Sequence, residues 1–187
     1  KIVDASIKLK IPIVTFYVFS SENWNRPATE IKYLFKLIYQ YFKFELKNIL
    51  KNNIKINILG RNKKLPPKIK QILNKITKLT KDNKKIIVNL AINYGSKNEI
   101  IDSLKKIKLN KSNITENSIN KFLYNRLPFP DILIRTGGQK RLSNFMLWQL
   151  AYTELFFLEK LWPDFNKNDL KTILKKYSKI KRNFGAI

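Results

Sequence analysis

Asp131 to Glu154 reads DILIRTGGQKRLSNFMLWQLAYTE. Ile132 to Ile134 is a short apolar run of strand-like composition. Arg135, a Thr136-Gly137-Gly138 turn, Arg141, Ser143 and Asn144 then fall within one loop. Phe145 to Tyr152 is apolar and of helix length, so a helix is expected there. A strand feeding a Gly-rich turn with a helix beyond it is a frame that holds anions. Gly137 and Gly138 allow close backbone approach and positive φ. Ser143 suits an N-cap, and the helix start would offer free N–H groups. Two arginines add paired donors suited to phosphate oxygens. The stretch reads as a diphosphate cradle; the plain alternative is a tight turn bearing two solvated arginines.

Working outward, apolar strand-like runs alternate with segments of helical spacing. Ile2 to Leu9 looks like the end of an amphipathic helix. Ile13 to Phe19 (IVTFYVF) is a β-branched and aromatic run, typical of a parallel strand covered on both faces. The polar loop Ser20 to Pro27 follows directly. Ala28 to Leu50 carries a wide apolar stripe at helical spacing, suited to core or to a wall of a greasy cavity. Strands are expected at Ile54 to Leu59, Lys85 to Tyr94, Asp131 to Arg135 and Glu154 to Leu158. Helices are expected from Pro66 to about Lys81, Glu99 to Ile107, Thr115 to Leu127 and, capped by Asn168 or Asp169, to about Arg182. The pattern predicts an α/β fold with a mostly parallel central sheet flanked by helices, in a single domain over residues 1–187.

Composition excludes several chemistries. The 187 residues include no cysteine and no histidine, so disulfides, thiolates and imidazole bases have no place. No apolar run reaches the ~18 residues of a membrane span, and a cytoplasmic protein is the expectation. Lysine and arginine number 38 against 13 acidic residues, a net charge of +25. The lysines are spread along the chain among Asn and Ile, as AT-rich coding DNA gives. Specific nucleic-acid binding is therefore not expected; anionic substrates, or a peripheral contact with an anionic membrane, suit the charge. Neither GxGxxG nor GxxxxGK[ST] is present.

In a parallel sheet, loops at strand ends open on the same edge. Ser20 to Arg26 and Arg135 to Asn144 would together supply three arginines, several amides and hydroxyls, and one carboxylate, Glu22. That set fits a phosphate-bearing ligand better than a metal held by protein alone. A Mg²⁺ shared between one carboxylate and substrate phosphates would fit. Trp24, in a polar loop, is placed to touch a ligand or partner. Glu154 is either a carboxylate near the cradle or a surface acid.

SSENWNRP (Ser20 to Pro27), NYG (Asn93 to Gly95), RTGGQKRLSNFMLWQLAYTEL (Arg135 to Leu155), LWPDF (Leu161 to Phe165) and RNFG (Arg182 to Gly185) resemble, in order, the cis-prenyltransferases of the bacterial undecaprenyl diphosphate synthase type. The resemblance implies condensation of isopentenyl diphosphate onto farnesyl diphosphate to give undecaprenyl diphosphate, the cell-wall lipid carrier. It implies a homodimer with a hydrophobic tunnel, Mg²⁺ as cofactor, and membrane contact for product release. By match to the motifs, Arg135, Arg141, Leu142 and Ser143 would bind isopentenyl diphosphate. Ser20, Ser21, Glu22, Trp24 and Arg26 would order the loop over both substrates. Asn23 takes the position of proton acceptor, Glu154 that of a Mg²⁺ ligand, and Leu34, Leu37 and Ile38 that of the tunnel lining.

Two departures qualify this. Gln139 stands where the family usually has Glu. The family's N-terminal strand and its Asp-Gly-Asn-Gly-Arg loop, which carry the main Mg²⁺ ligand, do not occur in these 187 residues. The 187-residue chain alone is therefore expected to fold poorly or to be inactive. A non-catalytic or decayed subunit of the same fold is the alternative; such relatives typically lose the cradle and the Asn loop, and both are present here.

Overall fold

The computed structural model describes residues 1–183. Five strands and six helices follow in the order α1 (Ile2–Lys8), β1 (Ile13–Ser20), α2 (Ala28–Lys51), β2 (Ile54–Leu59), α3 (Pro67–Leu79), β3 (Ile86–Tyr94), α4 (Ser96–Leu109), α5 (Glu116–Phe122), β4 (Ile132–Arg135), β5 (Glu154–Phe157) and α6 (Lys167–Tyr177). Short 3₁₀ turns cover Ser21–Asn25 and Trp162–Asp164. The expected α/β class holds, and every strand pair is parallel. Among the described residues the parallel strands fall into two sheets. Three strands pair in the order β1-β3-β2, and β4 pairs separately with β5.

β3 is central and almost wholly buried, which explains its largely apolar reading. Asn89, midway along it, joins a polar ladder across the sheet. Asn57 donates to Asn89 at 3.1 Å, and Asn89 donates to Thr15 at 3.1 Å. Thr15, Asn89 and Asn57 are register partners. A one-residue slip would break both bonds and leave a buried amide unpaired, so the ladder pins the register.

α2 begins after Pro27, which cannot continue a helix backwards but pre-sets the chain for one. Its buried seam is Phe35, Phe42 and Ile49, spaced at seven residues. The seam meets Phe19, Ile54, Val88 and the α3 residues Ile69, Leu73 and Ile76 in the main core. Each such side chain contributes about 1.5–3 kcal/mol by burial. A second core, Leu59, Ala91, Tyr94, Leu133, Met146 and Leu150, joins the three-stranded sheet to the cradle segment. A third packs α1 and α6 on β4 and β5 through Ala5, Phe165, Leu170 and Ile173.

Several element ends differ from the sequence expectation. α4 starts at Ser96, three residues early, because its first turn is held by the cradle loop. α5 stops at Phe122, well before Leu127. The last helix is capped by Asn166, whose side chain accepts from Asn168 N–H while Asp169 reaches back to the Asn166 N–H at 2.9 Å, and it ends at Tyr177 rather than Arg182. Thr115 is the expected cap, with Ser118 filling the reciprocal position by its hydroxyl. The largest correction is at Phe145 to Tyr152, which forms consecutive turns and no helix. Of the closing RNFG, only Arg182 and Asn183 lie within the described residues. Among the described residues no helix is long and apolar enough to cross a membrane.

Candidate active site

The two polar loops meet at the C-terminal ends of β1 and β4. Arg135, the last residue of β4, donates through Nη1 to Ser143 Oγ at 2.8 Å and to the Arg141 carbonyl. Gly137 and Gly138 take φ of +88° and +74°, so the turn folds back as their composition demands. Their N–H groups donate to the carbonyls of Lys160 and Leu158, both at 2.9 Å. Arg141 donates to Gln139 Oε1 at 2.6 Å. Gln139 therefore still orients Arg141 but, being neutral, leaves its charge uncompensated. Burial, and then the charge of Arg141, pull the Arg135 pKa down. Two guanidinium groups on one short loop offer donors suited to a multiply charged anion.

Ser143 is not an N-cap. Its φ is +51°, outside the extended region a cap adopts, and no helix follows. Its hydroxyl instead accepts from Arg135. The cradle thus rests on guanidinium groups and turn geometry rather than on a helix end.

The β1 loop closes as a 3₁₀ turn. Asn23 Oδ1 accepts the Ser20 N–H at 2.9 Å. Ser21 Oγ donates to Glu22 Oε2 at 3.0 Å. Burial pushes the Glu22 carboxyl up, but donations from Asn144, its own backbone and Ser21 outweigh that and hold it below the usual carboxylate range. Trp24 is an anchor: its ring packs on Phe19 and Phe35, and its N–H donates to Asn93 Oδ1 at 2.7 Å. Asn93, nearly buried at the end of β3, donates in turn to the carbonyls of Arg61 and Lys63. Arg26 turns away to pair with Glu30 at 2.7 Å on the exposed first turn of α2.

Sequence reasoning placed Asn144 in the cradle loop without giving it a role, and did not single out Tyr17 or Glu159. Tyr17, on β1, donates between the carbonyls of Ser143 (3.2 Å) and Tyr94 (3.3 Å). Burial, and then the nearby Glu22 charge, push its pKa up to about 12, so it remains a donor. A lone tyrosine hydroxyl in an apolar strand was the available signal. Asn144 donates through Nδ2 to Glu22 Oε1 at 2.6 Å. Glu159 places a carboxylate oxygen 2.6 Å from where a Cβ on Gly138 would stand.

Other expected residues are placed differently. β5 pairs Glu154 with Ile132 and Phe157 with Arg135. Glu154 therefore lies at the far end of the strand pair, three residues or roughly 10 Å from Arg135 along the strand. Leu142 packs on the second core. Leu34 and Ile38 pack against the main core, while Leu37 is exposed. Two open cavities lie elsewhere, beside α5 and the Asn125–Phe129 turn and beside the end of α4; neither touches these three residues. The described residues hold no cluster of three acidic side chains able to bind a metal alone.

Comparison with known proteins identifies the family. The undecaprenyl diphosphate synthase family model matches residues 1–185. The chain belongs to the undecaprenyl diphosphate synthase family. The isoprenyl transferase of Fusobacterium nucleatum subsp. nucleatum is 43% identical over 188 residues, covering 100% of this chain and 82% of that protein. That of Rickettsia bellii is 49% identical, covering 96% and 80%. Among solved structures, a probable undecaprenyl diphosphate synthase from Campylobacter jejuni superposes with a TM-score of 0.93 at 33% identity, over 98% of this chain and 88% of that one. Lavandulyl diphosphate synthase from Lavandula x intermedia, in complex with dimethylallyl diphosphate, gives 0.93 at 30%, over 98% and 83%. Membership of this family makes the chain a prenyltransferase.

Proposed function

We propose that the protein elongates farnesyl diphosphate with isopentenyl diphosphate units in cis, giving undecaprenyl diphosphate in the cytoplasm, as a homodimer whose product leaves through contact with a membrane. The observation that carries this is the gathering of Arg135, Arg141 and Ser143 in one loop by the bonds from Arg135, a loop that Asn144 ties to Glu22 in the turn bearing Asn23.

Isopentenyl diphosphate would be held by its diphosphate at Arg135 and Arg141. The allylic C1–O bond breaks, and diphosphate leaves with the electron pair. The isopentenyl double bond attacks C1, and C2 then loses a proton. An amide oxygen is a very weak base, and that of Asn23 already accepts from Ser20. The proton therefore goes to a diphosphate oxygen, and Asn23 shapes the turn that positions the two substrates. Arg135 and Arg141 would fix the isopentenyl diphosphate beside the allylic carbon, while Mg²⁺, when bound, would supply charge to offset that growing on the departing allylic diphosphate. The ion would rest chiefly on substrate oxygens. Glu154 is the ligand that the resemblance assigns; its place beside Ile132 makes its share a matter for Glu154→Gln and the Mg²⁺ requirement.

The growing chain would lie along α2. Tyr33, Leu37, Tyr41 and Phe44 are exposed on one side of that helix, at spacings that share a face. β1 and β4 each pair along one edge only among the described residues. The family's N-terminal strand, with its Asp-Gly-Asn-Gly-Arg loop, would complete the sheet between them and supply further diphosphate and Mg²⁺ contacts.

The test is incorporation of radiolabelled isopentenyl diphosphate with farnesyl diphosphate and Mg²⁺. The complete gene product is expected to extend the chain, and residues 1–187 alone are expected not to. No incorporation by the complete product would favour a non-catalytic subunit.

A further inference from the structure

We propose that Asn144 is a positioning residue which clamps Glu22 and so sets the register of the Ser20–Arg26 turn against the arginine cradle. The proposal rests on reading these two loops as the substrate seat. Asn144 makes three hydrogen bonds to elements far away in sequence. Its carbonyl accepts Ser96 N–H at 2.8 Å. Its Oδ1 accepts Lys97 N–H at 2.9 Å, and its Nδ2 donates to Glu22 Oε1 at 2.6 Å. The first two fix the residue to the start of α4. Because Oδ1 faces a backbone N–H, the amide is oriented with Nδ2 toward the carboxylate, so a donor and an acceptor are both required of this one side chain.

The backbone is shaped for the contact. Ser143 and Asn144 take consecutive left-handed φ values of +51° and +62°. Asn is among the few residues that enter this region readily, and two in succession persist only where surroundings hold them. Gly95 lies against the junction: a Cβ there would stand 2.3 Å from Ser21 Oγ and 2.7 Å from Asn144 Nδ2. Three segments thus meet with no room for a methyl group. The substitution N144D would keep the bond to Lys97 but set two carboxylates against each other. Adding E22Q to N144D would restore the bond with donor and acceptor exchanged.

The experiment is a cycle of N144D, E22Q and the double variant in the complete gene product, read by steady-state kinetics. N144D is expected to lower kcat about 10- to 100-fold, the scale of a small misplacement of reacting groups, with KM for isopentenyl diphosphate changed less than about threefold. The double variant is expected to exceed, by about tenfold, the kcat given by multiplying the two single losses. Hydrogen exchange of a peptide spanning residues 20–26, measured on the same four proteins, should quicken in N144D and return in the double. Multiplicative losses, or an N144D that matches the parent in kcat and exchange, would overturn the proposal. A parent that exchanges as expected but makes no prenyl chain would instead overturn the functional reading.

Discussion

The side-chain oxygen of Asn23 accepts the backbone N–H of Ser20 at 2.9 Å, closing the turn at the end of β1. An oxygen used in this way holds the loop rather than waiting for a proton. Asn23→Ala is expected to lower kcat about 100-fold through loss of the turn, while the pH–rate profile keeps its shape. A rate that climbs with pH in the variant, as solvent base takes over, would mark Asn23 as the proton acceptor.

Gly95 has φ of −158°, extended backbone that any residue adopts. Gly95→Ala therefore acts through crowding of Ser21 and Asn144 alone. The expected result is a kcat at least tenfold lower together with a loss of about 1–3 kcal/mol in urea stability, since Gly95 is buried and the methyl group must displace Ser21 and Asn144. A variant with parental kcat would show that the junction tolerates separation.

Asp102 on α4 accepts both forks of Arg61, each at 2.7 Å, while Asn98 takes a third N–H and Tyr124 donates to the same carboxylate at 2.6 Å. The hydrogen bonds from Arg61, against the effect of burial, hold the Asp102 carboxyl below its usual range. Unfolded, it takes the ordinary value of about 3.9. The unfolded chain thus binds the proton first as pH falls. The stability from this group is complete above that value and is lost below it, as pH approaches the lower folded pKa. Asp102→Asn is expected to cost about 1–3 kcal/mol at neutral pH and to flatten the acid limb of urea stability measured from pH 5 to 2. An unchanged acid limb would assign it to other carboxylates.

Much of the fold was legible because it is periodic. The run Ile13–Phe19 and the seven-residue spacing of Phe35, Phe42 and Ile49 each report a local rule. The two loops were legible by their uncommon residues. Phe145–Tyr152 misled because an apolar stretch of helix length says nothing of the left-handed φ at Ser143, Asn144 and Met146, which break the helix before it starts. The roles of Tyr17, Asn144 and Asn93 were hidden because each depends on a partner 69 or more residues away. Leu37 was assigned to a lining by the resemblance alone, and it is exposed; what covers that face is not written in the helix itself.

Binding of isopentenyl diphosphate, followed by titration calorimetry on the complete gene product, tests the arginine seat most directly. Arg135→Ala and Arg141→Ala are each expected to weaken binding about 10- to 100-fold, the loss of one charge-assisted hydrogen-bonded contact, and Ser143→Ala less. Affinity equal to that of the parent in both arginine variants would contradict the account.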